Sequence, residues 1–377
     1  MIKYIHQREN WTDFRWNKEK ISSILGNIRH LQGRLLGRME SLGFSMLEQT
    51  KLVALTLDVI DTSKIEGEFL DPEKVRSSIA QKLGIENVDN ERIERNIEGV
   101  VDMLLDATQN FNQPLTKERL CGWHNSLFQT GFSGYSKIDV AKYRNVEMNV
   151  VSGAFGREKV HFEAVAAEFV EQEMEKFLSW FNQNSDVDLV IKAFVAHFWF
   201  VTIHPFDDGN GRIARAILDM QLARSENTKL RFYSMSNQIY KEHKKYNLQL
   251  EQAQKGDNDL TEYLEWFLNC FENALLSSEK NLEIILDKAR FWDIFRDTKI
   301  NDRQRNAINY LYDNYDKEIG FLRTSFYAKL NDCSTDTALR DLQDLVQKNM
   351  LIAEDSGKKT NYLIVSPNDI RIPKIYQ

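Results

Sequence analysis

From Asn17 onward, apolar residues return every three or four positions along most of the chain, and that spacing commits most of it to helices. Ile21, Ile24, Leu25, Ile28, Leu31 and Leu35 form one face of a first helix, and Leu47, Leu52, Leu55, Val59 and Ile60 serve a second that starts near Ser45. The second should stop at Glu66-Gly67, where the glycine suits a helix end. Asp71 and Pro72 read as the N-cap and first position of a third helix. The pattern predicts further helices over 90–111, after the cap Thr116, and over 163–182, 187–203, 212–224, 236–254 and 259–289. Five prolines and 17 glycines are too few to punctuate a sandwich of short strands, so the expected class is mainly α. One interruption is expected, a β-hairpin in which Val146, Met148 and Val150 face Val160 and Phe162 across Ser152-Gly153-Ala154-Phe155-Gly156.

At 377 residues there is room for two or three cores, at roughly 150 residues each. The division read here is an N-terminal helical domain at 1–95, a core at 96–290 and a separate unit at 291–377. In that last unit, helices near 302–315, 325–330 and 334–348 precede Leu351-Ile352-Ala353, a Ser356-Gly357-Lys358 turn and Tyr362-Leu363-Ile364-Val365. Three helices and a hairpin are the order of a winged helix-turn-helix. Residues 301–377 carry 11 Lys/Arg and 11 Asp/Glu, and the third helix sets Asp336, Asp341 and Asp344 against Arg340 and Lys348. DNA affinity rests on phosphate neutralisation, so this balance favours a protein-interaction or dimerisation module over DNA, with Lys358 and Lys359 the residues open to phosphate.

The net charge of −7 excludes a basic footprint over the whole chain. Cys121, Cys270 and Cys333 are scattered without CxxC spacing, the pattern of reduced thiols rather than of disulfides or a zinc site. The first ten residues lack a signal peptide's apolar core. The most apolar stretch, 193–203, is interrupted by His197 and is about half the roughly 20 residues needed to span a bilayer. The expectation is a soluble, cytoplasmic protein with no membrane partner.

Chemistry concentrates in Ile203-His204-Pro205-Phe206-Asp207-Asp208-Gly209-Asn210-Gly211-Arg212-Ile213-Ala214-Arg215. Pro205 ends one helix. Gly209 and Gly211 flank Asn210, letting backbone N–H groups close on a ligand at the start of the next helix, whose dipole favours an anion. Arg212 and Arg215, three apart, share a face near the same anion. A polyphosphate is the natural guest. Asp208 is a hard oxygen ligand for the divalent metal a polyphosphate brings. His204 is the group able to take a proton near neutral pH. The alternative, a helix joint with a solvated charged face, requires a base, an acid, a Gly-Asn-Gly nest and two arginines to fall together by accident.

This stretch resembles the Fic family signature, HPFx(D/E)GNGRxxR, at every specified position. The resemblance covers about 115–254 and implies a helical Fic core that moves AMP from ATP, with Mg²⁺, to a Ser, Thr or Tyr hydroxyl of a protein. By that likeness His204 deprotonates the hydroxyl, which attacks the α-phosphate, and Asp208 holds Mg²⁺. The Gly209-Asn210-Gly211 backbone cradles phosphates, Arg212 and Arg215 bind the β- and γ-phosphates, and Tyr246 lines the adenine pocket. Relatives often carry a second aromatic residue beside Tyr246, where this chain has Asn247. The hairpin at 149–162 becomes a flap that docks the target. Self-modification and self-association are common in the family, and Trp11, Phe14 and Trp16 resemble a domain often found ahead of Fic cores. That aromatic cluster, like His197, reads as packing.

Glu66 stands at a helix C-terminus, where the dipole disfavours an anion by roughly 0.3–1 kcal/mol. An acid placed there invites a cationic partner. Thr62-Ser63-Lys64-Ile65-Glu66-Gly67 also resembles the (S/T)xxxE(G/N) inhibitory motif of Fic proteins. That likeness implies that Glu66 pairs with Arg215 and restrains the enzyme by taking the γ-phosphate's place. The same carboxylate could position water to remove AMP from a modified protein, so de-AMPylation is the rival within the enzyme class, beside transfer of another phosphate-containing group. The rival outside it is a DNA-binding regulator whose core senses nucleotide.

Overall fold

The computed structural model describes residues 2–85, 94–152, 159–184, 186–314, 320–356 and 359–367. It is mainly helical and divides into two compact units, Met1–Ser278 and Glu279–Gln377. In the first unit, α1 (Lys18–Glu40), α2 (Phe44–Ile65), α3 (Pro72–Leu83), α4 (Arg95–Gln109) and α5 (Lys117–Leu127) follow one another. Asn17, Asp71 and Thr116 cap α1, α3 and α5 through their side chains, each satisfying an orphan N–H. Two short antiparallel hairpins come next. One pairs β1 (Phe132–Ser133) with β2 (Ser136–Lys137), and the other pairs β3 (Asn149–Ser152) with β4 (Lys159–Glu163). The expected flap turn at 153–156 lies outside the described residues, as do 90–93 of the predicted fourth helix.

The rest of the unit is α6 (Val170–Asn182), α7 (Leu189–Ile203), α8 (Asn210–Glu226), α9 (Met235–Lys241), α10 (His243–Lys255) and the start of α11 (Thr261–Ile294). Two boundaries differ from the sequence reading. Phe162 and Glu163 belong to β4, so α6 starts at Val170 rather than at 163. The helix predicted over 236–254 is broken at Glu242, whose φ of −112° leaves the helical region. The β1–β2 hairpin was not anticipated.

α7 is the central stave. Nearly all its residues are buried, with Phe194, Phe198, Phe200 and Ile203 at 0% exposure, and it packs along α6 and α8. Each such side chain contributes about 1.5–3 kcal/mol through burial. Trp11 and Phe14 meet Trp199 edge to face, with centroids 6.0 and 5.6 Å apart, so the N-terminal aromatic cluster closes over α7. Tyr4 packs edge-on against Phe162 of β4 at 5.1 Å, placing the N-terminal segment beneath the hairpin. Among the described residues, no helix is long and apolar enough to cross a membrane.

The second unit receives the end of α11, then α12 (Asp302–Asp313), α13 (Thr324–Leu330), α14 (Thr335–Gln347) and the hairpin of β5 (Leu351–Ser356) with β6 (Lys359–Ile364). Residues 357–358 of the predicted turn fall outside the described residues. Phe291, Ile308, Leu311, Tyr327, Leu342, Leu345 and Leu351 form its core. Asp341 accepts hydrogen bonds from Arg303, Asn301 and Tyr327, and Asp344 from Gln304 and Lys348. Two of the three acids counted against DNA therefore serve packing inside the unit.

Candidate active site

The site forms where α7 ends and α8 begins. His204 closes α7 in the left-handed conformation, at φ 55° and ψ 61°, a strained position for a residue with a Cβ. Arg144 holds it there. Its guanidinium donates to the carbonyl oxygens of His204 (2.7 Å), Ile203 (3.2 Å), Val146 (2.8 Å) and Val165, and its own N–H bonds Pro205 O at 2.8 Å. A buried cation thus satisfies carbonyls at the negative end of α7 and ties both roots of the β3–β4 hairpin to the loop.

The His204 ring sets Nδ1 3.3 Å from Val201 O. A carbonyl only accepts, so Nδ1 carries the proton of the neutral ring and Nε2 keeps its lone pair. Burial pushes the His204 pKa down to about 4, with Arg144 acting in the same direction, so the ring is an unprotonated base at neutral pH.

Asn210 staples the loop. Its side chain accepts from Phe206 N at 3.0 Å and donates to Phe206 O at 2.7 Å. Phe206 stacks on His124, centroids 4.4 Å apart. Asp208 accepts from Gly209 N at 2.6 Å through one oxygen and from the Ser133 hydroxyl of β1 through the other. Gly209 has a φ of 76°, and a Cβ there would lie 2.8 Å from the Phe128 ring, so only glycine fits.

No side chain caps α8. Instead the Glu66 carboxylate lies against its first turn, so close that a Cβ on Gly211 would stand 2.3 Å from Glu66 Oε1. Arg215, 2% exposed, donates to Glu66 Oε1 at 2.7 Å, to Thr62 Oγ1 at 2.7 Å and to Thr62 O at 2.9 Å. Arg212, 4% exposed, donates to Glu68 Oε2 at 2.8 Å and lies over the Phe128 ring. Its buried Nε has no hydrogen-bond partner among the described residues. A bare helix start, a glycine against which the Glu66 carboxylate closes, and two buried arginines make a place built for an anion, filled here by the protein's own carboxylates.

The acids are aimed by the end of α2. Gly67 N bonds Lys64 O at 3.0 Å and Glu68 N bonds Ser63 O at 3.0 Å, a Schellman turn with Gly67 left-handed at φ 81°. The helix itself is pinned by buried charge. Asp58 accepts from the Ser234 hydroxyl (2.5 Å) and Ser236 N (3.2 Å), and Asp61 from Asn237 (2.7 Å). Asp58 and Asp219 of α8 flank the buried Arg231, and burial raises the Asp58 pKa well above the carboxylate range.

The structure therefore brings together every loop residue named from sequence with Thr62, Glu66 and Gly67. Tyr246 lies nearby but buried, its hydroxyl 3.1 Å from His197 Nε2 and beside Arg215. The other nitrogen of His197 meets the Tyr263 hydroxyl at 2.9 Å, the environment of a satisfied packing histidine. Arg144, Ser133, Glu68 and the Asp58–Arg231 network were not named from sequence. Glu68 had a readable signal, a second acid two residues past Glu66 for a second arginine. Among the described residues no group of three metal-ligating side chains occurs. Mg²⁺ arriving with a nucleotide is typically held by one or two carboxylates and phosphate oxygens, a demand that Asp208 fits.

Comparison with known proteins finds similarity over part of the chain. Residues 114–222 match the Fic/DOC family model, and residues 4–85 match a domain of unknown function, DUF4172. A protein adenylyltransferase of Caenorhabditis elegans is 38% identical over 66 residues, which is 17% of this chain and 13% of that protein. A probable protein adenylyltransferase of Aquifex aeolicus is 30% identical over 79 residues, 21% of this chain and 22% of that one. The matches thus span less than a quarter of these relatives' lengths. The crystal structure of a Fic family protein from Desulfovibrio desulfuricans shares the fold, with a TM-score of 0.54 at 17% identity over 92% of this chain and 96% of that one.

Proposed function

Since the chain carries a Fic/DOC domain, we propose that it is a protein adenylyltransferase restrained by Glu66, moving AMP from ATP to a Ser, Thr or Tyr hydroxyl of a protein. The observation that carries this reading is the anion place at the start of α8, lined by Arg212 and Arg215 and reached by an unprotonated His204 at the end of α7.

In this reading His204 Nε2 takes the proton of the target hydroxyl as its oxygen attacks the α-phosphorus. The bond from that phosphorus to the bridging oxygen breaks, and pyrophosphate leaves with the electron pair. The first turn of α8 and the two arginines bind and orient the leaving phosphates, which is most of the protein's work in phosphoryl chemistry. Asp208 would hold Mg²⁺, which when bound neutralises charge on the phosphates. The two-stranded β3–β4 sheet offers an unpaired edge, with Val151 and Val160 exposed, to an extended target segment. Such a mode is sequence-tolerant, so the chain's own exposed hydroxyls are also candidates for labelling.

Glu66 enters as a restraint because it holds Arg215 and crowds Gly211, where the terminal phosphate would sit. A second reading, hydrolytic removal of AMP, draws on the same placement of a carboxylate against the phosphate loop. We read the second unit as a protein-interaction module of winged-helix type, since Arg303 and Lys348 are spent on Asp341 and Asp344 rather than left to meet a duplex's phosphates.

Incubation with Mg²⁺ and ATP labelled at either the α- or the γ-phosphate tests the reaction class. The expected result is α-label retained on precipitated protein, no γ-label, and pyrophosphate released in equal amount. Retained γ-label would replace the reading with phosphate transfer. Release of AMP from protein labelled beforehand, without net incorporation, would establish the hydrolytic one.

A further inference from the structure

The restraint on this site has two prongs. Resting on the reading above, we propose that Glu68 is a determinant of nucleotide affinity, occupying Arg212 as Glu66 occupies Arg215, so that phosphates must displace Glu68 in order to bind and Glu66 as well in order to react. The Schellman turn at Gly67 is what makes this geometry available. By reversing the chain between the two acids, it turns both toward one face of α8, where Arg212 and Arg215 stand three residues apart.

The two pairs are not equivalent. Arg215 is gripped by Glu66, the C-cap of α2, and by two oxygens of Thr62 within that helix, which is pinned through Asp58 and Asp61. Among the carboxylates of the described residues Arg212 is held by Glu68 alone, and the Glu68 side chain is 43% exposed. It follows the end of α2 instead of belonging to it. The buried Arg212 Nε is left over, a donor that a phosphate oxygen can use and Glu68 does not. Glu68 is therefore the weaker competitor, and a nucleotide can displace it from Arg212 while Glu66 stays on Arg215. In this arrangement Glu68 sets how tightly phosphates bind, and Glu66 sets whether the bound nucleotide reacts.

Calorimetric titration of the full chain with Mg·ADP and Mg·ATP separates these roles. The proteins compared are the unaltered chain, Glu68→Gln, Glu68→Ala, Glu66→Gly and Glu66→Gly with Glu68→Ala, each also assayed for α-label transfer. An exposed ion pair is worth up to a few-fold, and removing a negative charge beside an anion adds to it, so Glu68→Ala should tighten ADP by about five-fold. Glu68→Gln should tighten it less. The gain should recur in the Glu66→Gly background, while transfer by Glu68→Ala alone stays restrained. Unchanged ADP affinity in both backgrounds would overturn the assignment even if Glu66→Gly transfers AMP. So would full release of transfer by Glu68→Ala alone, since Glu68 would then be part of the same lock. Tighter ADP binding without transfer by Glu66→Gly would instead leave Glu68 assigned and remove the transferase reading.

Discussion

The start of α8 and the start of α14 look alike in sequence, since each is a helix entered from a polar turn and dense in charge. In the structure they differ in where the charge goes. Ser334 caps α14 by accepting from Thr337 N, Asp341 is consumed by Arg303, Asn301 and Tyr327, and Asp344 by Gln304 and Lys348. At α8 no side chain supplies the cap, the Glu66 carboxylate lies directly against Gly211, and a buried arginine nitrogen is left without a partner among the described residues. Polar groups that satisfy one another build a fold, whereas polar groups converging on a place filled by movable carboxylates build a site.

The sharpest way to break this contrast is to disturb the scaffold of the first region without touching its anion place. Arg144→Met removes the donor to four carbonyls and should lower kcat about a hundredfold through misplacement of His204. Nucleotide affinity should move less than threefold, and equal losses in both would show that Arg144 supports the fold generally. In the second region, Asp341→Ala strands three donors and should cost about 2 kcal/mol, read as faster hydrogen exchange in α12 and α14. Transfer should stay within twofold, and a tenfold loss would mean that α14 takes part in the chemistry.

Acidity offers a smaller test. The His204 pKa lies at about 4, below the usual 6.5, so the base form persists as pH falls and is lost only on approaching pH 4. At pH 5.5 the proton-accepting form should still be nearly complete, where an ordinary histidine would retain about a tenth. A rate that halves near pH 6.5 would contradict the lowered pKa of this carbonyl-anchored ring. Smallest of all should be the salt dependence of duplex DNA binding. With Arg303 paired to Asp341 and Lys348 to Asp344, the chain should give a log–log slope no steeper than about −2, measured by anisotropy. A slope near −6 would restore the DNA-binding reading of the second unit.

Much of this was legible from residues close in the chain. The helices, their caps at Asp71 and Thr116, and the roles of Gly209 and Gly67 all follow from local rules that the structure obeys. That Glu66 would meet a cation was legible because an acid at a helix C-terminus needs one, and the resemblance of Thr62–Gly67 to the Fic inhibitory motif singled out Arg215. What escaped was contact made only by folding. Arg144 lies sixty residues before the carbonyl it braces, in a stretch with no periodic signal, and Ser133 reaches Asp208 from a hairpin of two-residue strands. The partners of Asp341 were not legible either, because sequence counts a helix's acids without showing which face is covered.

The central claim is that one base and one displaceable carboxylate govern transfer. It is tested most directly by incorporation of α-labelled ATP into the protein and into a cell extract. The comparison is among the unaltered chain, Glu66→Gly, and Glu66→Gly with His204→Ala. The account predicts weak labelling, strong labelling and none, in that order. A folded Glu66→Gly protein that binds ATP yet labels nothing would contradict it.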